Sequence, residues 1–541
     1  MCRLSRTRHL SIHKRTRHAL SLLNTLHFTF YTYLVLLNFT PIARPRLLSR
    51  LKDHARFIDH ADSVQQEQLV RLIEKAALTW FGRKYDFSTC RTYKEFATRV
   101  PLYRYEDLQP AIMRMVGGEK DVLWPGRCFN FAQSSGTSDG NHKYIPITPE
   151  SLRWNHYKGA SDVVSHYLNL NPASRLFSGK ALILGGSFAN ELNLKPGTRV
   201  GDLSATLINN INPIANLFRV PDKHTALLED WAVKLPALVE KSKGENITNL
   251  SGVPSWFLTV IKEVLKATGK DCIHDVWPNL EVFFHGGIAF EPYREQYERL
   301  CDMGKMHFLN TYNASEGFFA TQSDWSTTAM LLLLDVGVFY EFIPLNEIDS
   351  DHPDVLPIWE IEAGKTYELI ITACNGLWRY RIGDTVYIEQ LNPVKINIAG
   401  RTKSFINAFG EELMVHNADK AITRASQETG AQVLNYTAAP VYAGDKSKGR
   451  HQWLIEFETE PASIEQFAAM LDEHLQALNG DYQAKRYQSI FLDAPQVVVA
   501  RRGLFDQWLG STGKLGGQRK VPRLSNNRTT IDQMLSLMHN S

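Results

Sequence analysis

FAQSSGTSDGNHKYIPIT, residues 131–148, is a hydroxyl- and glycine-rich run carrying one lysine and closed by a proline. Ser134, Ser135, Thr137 and Ser138 place four hydroxyl donors within five residues. Gly136 and Gly140 let the backbone take positive φ, so that successive N–H groups can converge on an anion. Lys143 then adds a full positive charge at the end of the run. Together these features read as a phosphate cradle; the competing reading is an ordinary polar loop. Two familiar nucleotide loops are excluded. A Walker loop carries its lysine directly after the second glycine, whereas Lys143 lies three residues past Gly140, and the run contains no G-x-G-x-x-G.

Beyond the run, ALILGG (181–186) and EVFFHGGIAF (281–290) read as strands entering glycine turns, and PSWFLTVIKEVLKAT (254–268) as an amphipathic helix. Strands alternating with helices predict a largely α/β domain with ligands at the carboxyl ends of its strands. His285, beside Gly286, is a candidate ligand contact, although a lone histidine is more often structural. In MHFLNTYNASEGFFA (306–320) a strand leads into a turn. Glu316 there suits a magnesium ion, which takes hard carboxylate and phosphate oxygens together; the alternative is a solvated turn carboxylate. Tyr312 can stack on a nucleotide base. In WRYRIGD (378–384) the glycine permits a turn that presents Asp384. That carboxylate can accept hydrogen bonds from ribose hydroxyls, although Gly-Asp is also a common turn.

At 541 residues the chain exceeds one core, so two or more domains are expected. Hydrophobic content of 44% and charged content of 22% are those of a soluble globular protein. The six cysteines form no C-x-x-C pair, which suggests a reducing compartment and argues against structural zinc. The net charge is +3, but Arg3, Arg6, Arg8, Lys14, Arg15 and Arg17 concentrate the excess, and beyond residue 17 acids outnumber bases. Such a body lacks the basic footprint of a nucleic-acid binder.

Residues 19–43 are nearly free of charge and include FTFYTYLVLLNF. Residues 1–44 as a whole are read as an extension outside the fold or a mis-assigned start. Membrane association is disfavoured by six interspersed polar residues, and a signal peptide by the missing small-x-small site. The fold is expected to begin near residue 45. Ser63 to Gln66 reads as a capping box, followed by a helical face of Leu69, Leu72, Ile73, Ala76 and Trp80. A first domain is expected over 45–402, and a smaller α+β unit over 403–541. The latter holds strands near VLNYTAA and HQWLIEFE and a helix opened by a Ser463-to-Gln466 box, with His474 in its apolar face. Lys520, after a glycine-rich run, can swing into a site; on charge alone the run is equally a solvated tail.

SSGTSDGNHKYIP, YNASEG, YRIGD, GRTKSFINAFGEEL and GKLGGQRKVPRL, in chain order over roughly 45–530, resemble the auxin-responsive acyl acid amido synthetases, the Gretchen Hagen family, and its bacterial members most closely. The resemblance implies an adenylate-forming fold with a large N-terminal domain and a small mobile C-terminal one. It implies that ATP activates a carboxylic acid as an acyl-adenylate, with Mg2+, and that an amino acid then takes the acyl group as an amide. Ser134, Ser135, Gly136, Thr137 and Ser138 would hold phosphates with Lys143. Tyr312 and Ser315 would meet the nucleotide, Glu316 the metal and Asp384 the ribose. Arg401 and Lys403 would lie at the hinge, and Lys520 would come from the mobile domain. The remaining expectations are a cytoplasmic monomer with no nucleic-acid partner. Alternatives are an acyl-CoA ligase or an inactive nucleotide-binding module. The acid and the amino acid are not legible.

Overall fold

The computed structural model describes residues 38–539 other than 135–142, 189–191, 193, 288–289, 349, 402–404, 412, 443–448, 488–491 and 512–520. The first 37 residues, on which the extension readings fall, thus lie outside the described residues.

A twelve-stranded mixed sheet forms the centre. Its order is Leu356–Pro357, Val338–Pro344, Thr366–Ala373, Tyr380–Leu391, Val394–Arg401, Met330–Leu332, Phe318–Gln322, His307–Asn313, Val282–Gly286, Ile247–Gly252, Lys180–Ile183 and Arg219–Val220. The last five run parallel, as the alternation of strands and helices predicts. The others pair antiparallel and extend the sheet. Every residue of Val282–Gly286 is buried, as befits a parallel strand covered on both faces. The expected helix is Pro254–Thr268, stopped by Gly269 at φ 65°. Left-handed backbone there is costly for any residue with a Cβ, hence the glycine.

The fold begins earlier than residue 45. Helix Thr40–Ser49 places that position in its interior. The Phe39 N–H donates to the Phe177 carbonyl at 3.2 Å, and Phe39 packs edge-on against Phe218. The Arg44 guanidinium donates to the carbonyls of Leu168 at 2.6 Å and Asn171 at 3.4 Å. These carbonyls end helix Tyr157–Leu170, where unpaired acceptors and the helix dipole both favour a cation. Arg50 then binds Asp162 at 2.9 Å and also Asp335, locking the next turn to the body.

Two local readings are corrected nearby. Ser63 is no cap: helix Ala61–Ala76 starts two residues before it, and its hydroxyl donates back to the His60 carbonyl. Leu69, Leu72, Ile73 and Ala76 are buried as expected, but Trp80 is 39% exposed, because Thr79 caps a new helix, Trp80–Lys84.

The C-terminal unit contains a three-stranded sheet, Gln432–Val441, Arg450–Thr459 and Gln496–Ala500, backed by helices Val415–Thr429 and Ile464–Leu478. Ser463 does cap, accepting from the Gln466 N–H. His474 is only half-buried, with Nε2 3.0 Å from Glu428, so it edges the apolar face instead of lying in the core. The two units touch where the Tyr293 hydroxyl donates to the Ala408 carbonyl at 2.5 Å and where Lys485 Nζ lies 3.6 Å over the Trp256 ring. Among the described residues no helix is long and apolar enough to cross a membrane.

Candidate active site

Ser134 ends strand Asn130–Ser134 and Lys143 opens strand Lys143–Ile147, and the two residues face each other in an antiparallel ladder. Both ends of the hydroxyl-rich run are therefore held side by side. Ser135, Gly136, Thr137 and Ser138 lie outside the described residues, and Ser134 is placed through its backbone. Lys143 Nζ stands 5.8 Å from the centre of the Tyr105 ring. The hydroxyl of that tyrosine accepts from the Tyr144 N–H at 2.8 Å, which ties the strand to helix Tyr105–Val116.

The chain beyond Lys143 joins the run to Glu316. Thr148 Oγ1 donates to the Cys374 carbonyl at 2.8 Å, and the neighbouring Asn375 donates its amide to the Glu316 carbonyl at 3.1 Å. Asn155 sits in a π-helical turn, Ser151–His156, a rare wide turn often found at functional sites. Its side chain donates to the Phe318 carbonyl at 3.0 Å and accepts from the Phe318 N–H at 2.6 Å. Ala314 and Gly317 exchange backbone hydrogen bonds at 2.8 and 3.2 Å, so Ser315 and Glu316 form a two-residue hairpin tip. Gly317 is needed there, because a Cβ would lie 2.7 Å from the Phe319 ring. Glu316 is 8% exposed. A solvated turn carboxylate is thus not what the fold provides. One carboxylate with phosphate oxygens and water suffices for magnesium, so the residue fits the ion expected for it.

The Asp384 reading is corrected in form. No turn presents it: strand Tyr380–Leu391 continues through the position, and Gly383 takes φ 87° where the pairing with Thr366–Ala373 slips register. Such a bulge re-aims a side chain. Asp384, opposite Arg401 in the ladder, accepts from the Tyr312 hydroxyl at 2.6 Å. The Tyr312 ring, 4% exposed, packs edge-on against Phe319.

Asp384 and Tyr312 open onto a cleft of about 980 Å³ whose walls include His285, Phe290, Ile398 and, from the C-terminal unit, Asn407, Tyr442 and Asn526. Asn526 accepts from the Asn407 N–H at 2.6 Å, and the Tyr442 hydroxyl donates to the Asn526 carbonyl. This holds the segment just downstream of Lys520 at the mouth. Lys403 and Lys520 lie outside the described residues, and Arg401 is placed only as the end of strand Val394–Arg401. The structure therefore pairs Tyr312 with Asp384 on the cleft, sets Ser315 and Glu316 at the hairpin tip that follows the Tyr312 strand, and joins Glu316 to the chain beyond Lys143. Thr148, Asn155 and Asn375 were not legible beforehand. Each acts on a partner 163 residues away or more, apart from Asn375 at 59, and no local pattern marks such a contact. One further group, His54 with Asp162 and Asp335, has the spacing of metal ligands. Arg50 and Lys158 already neutralise both carboxylates.

Family models match nearly the whole of this framework. The GH3 family N-terminal domain covers residues 50–306, the central domain 331–401 and the C-terminal domain 416–529. The chain belongs to the GH3 family. Relatives of this GH3 chain include the indole-3-acetic acid-amido synthetase GH3.3 of Arabidopsis thaliana, 24% identical over 86% of this chain and 91% of that protein. Among solved structures, the acyl acid amido synthetase AtGH3.15 in complex with 2,4-DB superposes with a TM-score of 0.58 at 20% identity, covering 93% of this chain and 97% of that one. A 2-hydroxyisobutyryl-CoA ligase does so at 0.50 and 13%, covering 93% of each. The fold is thus that of adenylate-forming ligases with a large N-terminal and a small C-terminal part, as expected from the motifs.

Proposed function

We propose that this GH3 protein is an ATP-dependent ligase that joins a carboxylic acid to an amino acid. The observation that carries the reading is the Asp384–Tyr312 pair, set in a cleft between the two units and beside a Glu316 hairpin tied to the Lys143 strand. In the first step the acid's carboxylate attacks the α-phosphorus of ATP, forming acyl-AMP and releasing pyrophosphate. In the second the amine attacks the acyl carbon, the amide forms and AMP leaves with the bonding electrons. No covalent enzyme intermediate is needed. The chain's task is to orient the reactants and offset negative charge.

Asp384 would accept from the ribose hydroxyls, held for that purpose by Tyr312. Ser134, Ser135, Gly136, Thr137, Ser138 and Lys143 would hold the phosphates. Ser315 would contact the nucleotide, and Glu316 would hold Mg2+, which when bound offsets charge on the phosphates. Arg401 and Lys403 would serve the hinge and Lys520 would reach the cleft from the C-terminal unit. The reading carries with it a monomer working where ATP is available.

The test is pyrophosphate release by the full chain with ATP and magnesium across a panel of carboxylic acids, with pooled amino acids or coenzyme A added to the adenylate formed. Acid-dependent release with an amide product is expected. Thioester formation alone would move the assignment to an acyl-CoA ligase; ATP binding with no release under any acid would favour an inactive module. Lys143→Ala should lower release by about 10²- to 10³-fold, the scale for losing one transition-state donor.

A further inference from the structure

Residues 103–105 are bonded to both halves of the proposed nucleotide site. At one end the backbone joins the strand that carries Asp384. The Tyr103 N–H donates to the Arg379 carbonyl at 3.0 Å, and the Arg381 N–H donates to the Tyr103 carbonyl at 2.8 Å. Tyr103 thus pairs in parallel with Tyr380, the first residue of strand Tyr380–Leu391. That anchor is rigid. Arg379 is buried with φ 40°, and its guanidinium donates to Glu341 at 3.0 Å and to the carbonyls of Ala97 at 3.0 Å and Val100 at 2.8 Å. Left-handed backbone at a residue with a Cβ persists only where its surroundings over-determine it. At the other end the side chain of Tyr105 joins the strand that carries Lys143. The ring is buried, its hydroxyl accepts from the Tyr144 N–H at 2.8 Å, and Lys143 Nζ stands 5.8 Å from the ring centre. An ammonium at that range is attracted to an aromatic face. Between the two ends, the Arg104 N–H donates to the Asp107 carboxylate at 2.7 Å, which fixes where helix Tyr105–Val116 begins. The three residues form a short strut from the Asp384 strand to the Lys143 strand.

Resting on the ligase reading above, we propose that Tyr105 is a positioning residue that sets Lys143 at the spacing from Asp384 at which one nucleotide is held by its ribose and its phosphates at once. Tyr105 acts through Lys143 and Tyr144 and not on the nucleotide itself. A ligand gripped at two places is held well only where the two are set beforehand at its own length, and a small misplacement of one of them is costly. The hydroxyl of Tyr105 fixes the backbone beside Lys143, and the ring gives the ammonium a face to rest on.

The experiment measures binding of adenosine and of ATP with magnesium to the full chain by calorimetry, beside thermal unfolding. The proteins compared are the wild type, Tyr105→Phe, Tyr105→Leu, Lys143→Ala and the double variant of Tyr105→Phe with Lys143→Ala. Phenylalanine keeps the ring and drops the acceptor; leucine drops both. Adenosine reports the ribose half of the site, and the ratio of ATP to adenosine affinity reports the phosphate half. Tyr105→Phe should lower that ratio roughly 5- to 10-fold, with adenosine binding unchanged within about twofold, and Tyr105→Leu should lower it further. Without the lysine, Tyr105→Phe should change the ratio by less than about twofold, because residues acting through one another are not additive. An unchanged ratio in Tyr105→Phe overturns the proposal, as does its full effect persisting in the double variant. Equal weakening of adenosine and ATP with a lower melting temperature also overturns it, since Tyr105 would then serve packing alone. A wild type that binds ATP no more tightly than adenosine would instead sink the ligase reading, and the proposal with it.

Discussion

Asp384 is aimed by its neighbour. Gly383 takes φ 87°, a conformation open to glycine, and the bulge it allows turns the carboxylate toward the Tyr312 hydroxyl at 2.6 Å. Hydrogen bonds to a charged group are worth about 1.5–3 kcal/mol. Tyr312→Phe should therefore raise the ATP KM roughly 10-fold or more with little change in melting temperature, read from the ATP dependence of pyrophosphate release. An unchanged KM would mean that the pair does not order the nucleotide site. Asp384→Ala should be the more damaging, because it removes the acceptor and leaves the Tyr312 hydroxyl buried without it.

At the level of elements, the hairpin tip 314–317 is gripped from outside by Asn155 and Asn375. Its own two-residue turn does not set its position. Gly317→Ala would drive a methyl to within 2.7 Å of the Phe319 ring. Overpacking of this kind costs about 1–3 kcal/mol, and here it would also shift Glu316. Expected outcomes are a lower melting temperature and a higher magnesium concentration for half-maximal rate; a loss of stability with unchanged magnesium dependence would separate Glu316 from the ion. Helix Thr40–Ser49 can be tested by truncation. A chain starting at residue 45 loses the Phe39 contact and the Arg44 cap on the helix ending at Leu170. The loss is about 2 kcal/mol, from one half-buried aromatic ring and one helix-terminal cation. Chemical unfolding of chains starting at 38 and at 45 should show it, and equal stability would mean that the first helix is dispensable.

The molecule as a whole should lose stability on acidification. Burial holds His156 at about 4 and His166 at about 3, the latter also opposed by His54, and His285 at about 3. All three are neutral in the folded chain at neutral pH and become protonated when it unfolds below about 6.5. Their contribution is fully present above that value and is lost as pH falls toward 4 and then 3. Each adds about 1.4 kcal/mol per pH unit to the slope inside its window. Urea unfolding from pH 7.5 to 5 should show the decline beginning near 6.5, and a flat profile across that range would refute it. His285→Leu should make the slope shallower, because it removes one of the three.

The order of chemistry along the chain was present in the residues themselves. The strands ending in HGG and YNASEG and the helix of 254–268 depend on local composition and periodicity, and each sits on the kind of element expected; the YRIGD segment does not, and most of the hydroxyl-rich run lies outside the described residues. What depended on distant partners was not legible. Gly383 lies in a strand and not a turn because Thr366–Ala373 pairs beside it. Glu316 is buried because Asn375 and Asn155 hold its hairpin. Residues 38–44 belong to the body because carbonyls more than 120 residues away need a cation. Backbone preference and side-chain chemistry act over a few residues and can be read in sequence. Burial, register and the pairing of polar groups are settled by whichever elements the folded sheet places alongside, and those only the tertiary structure decided.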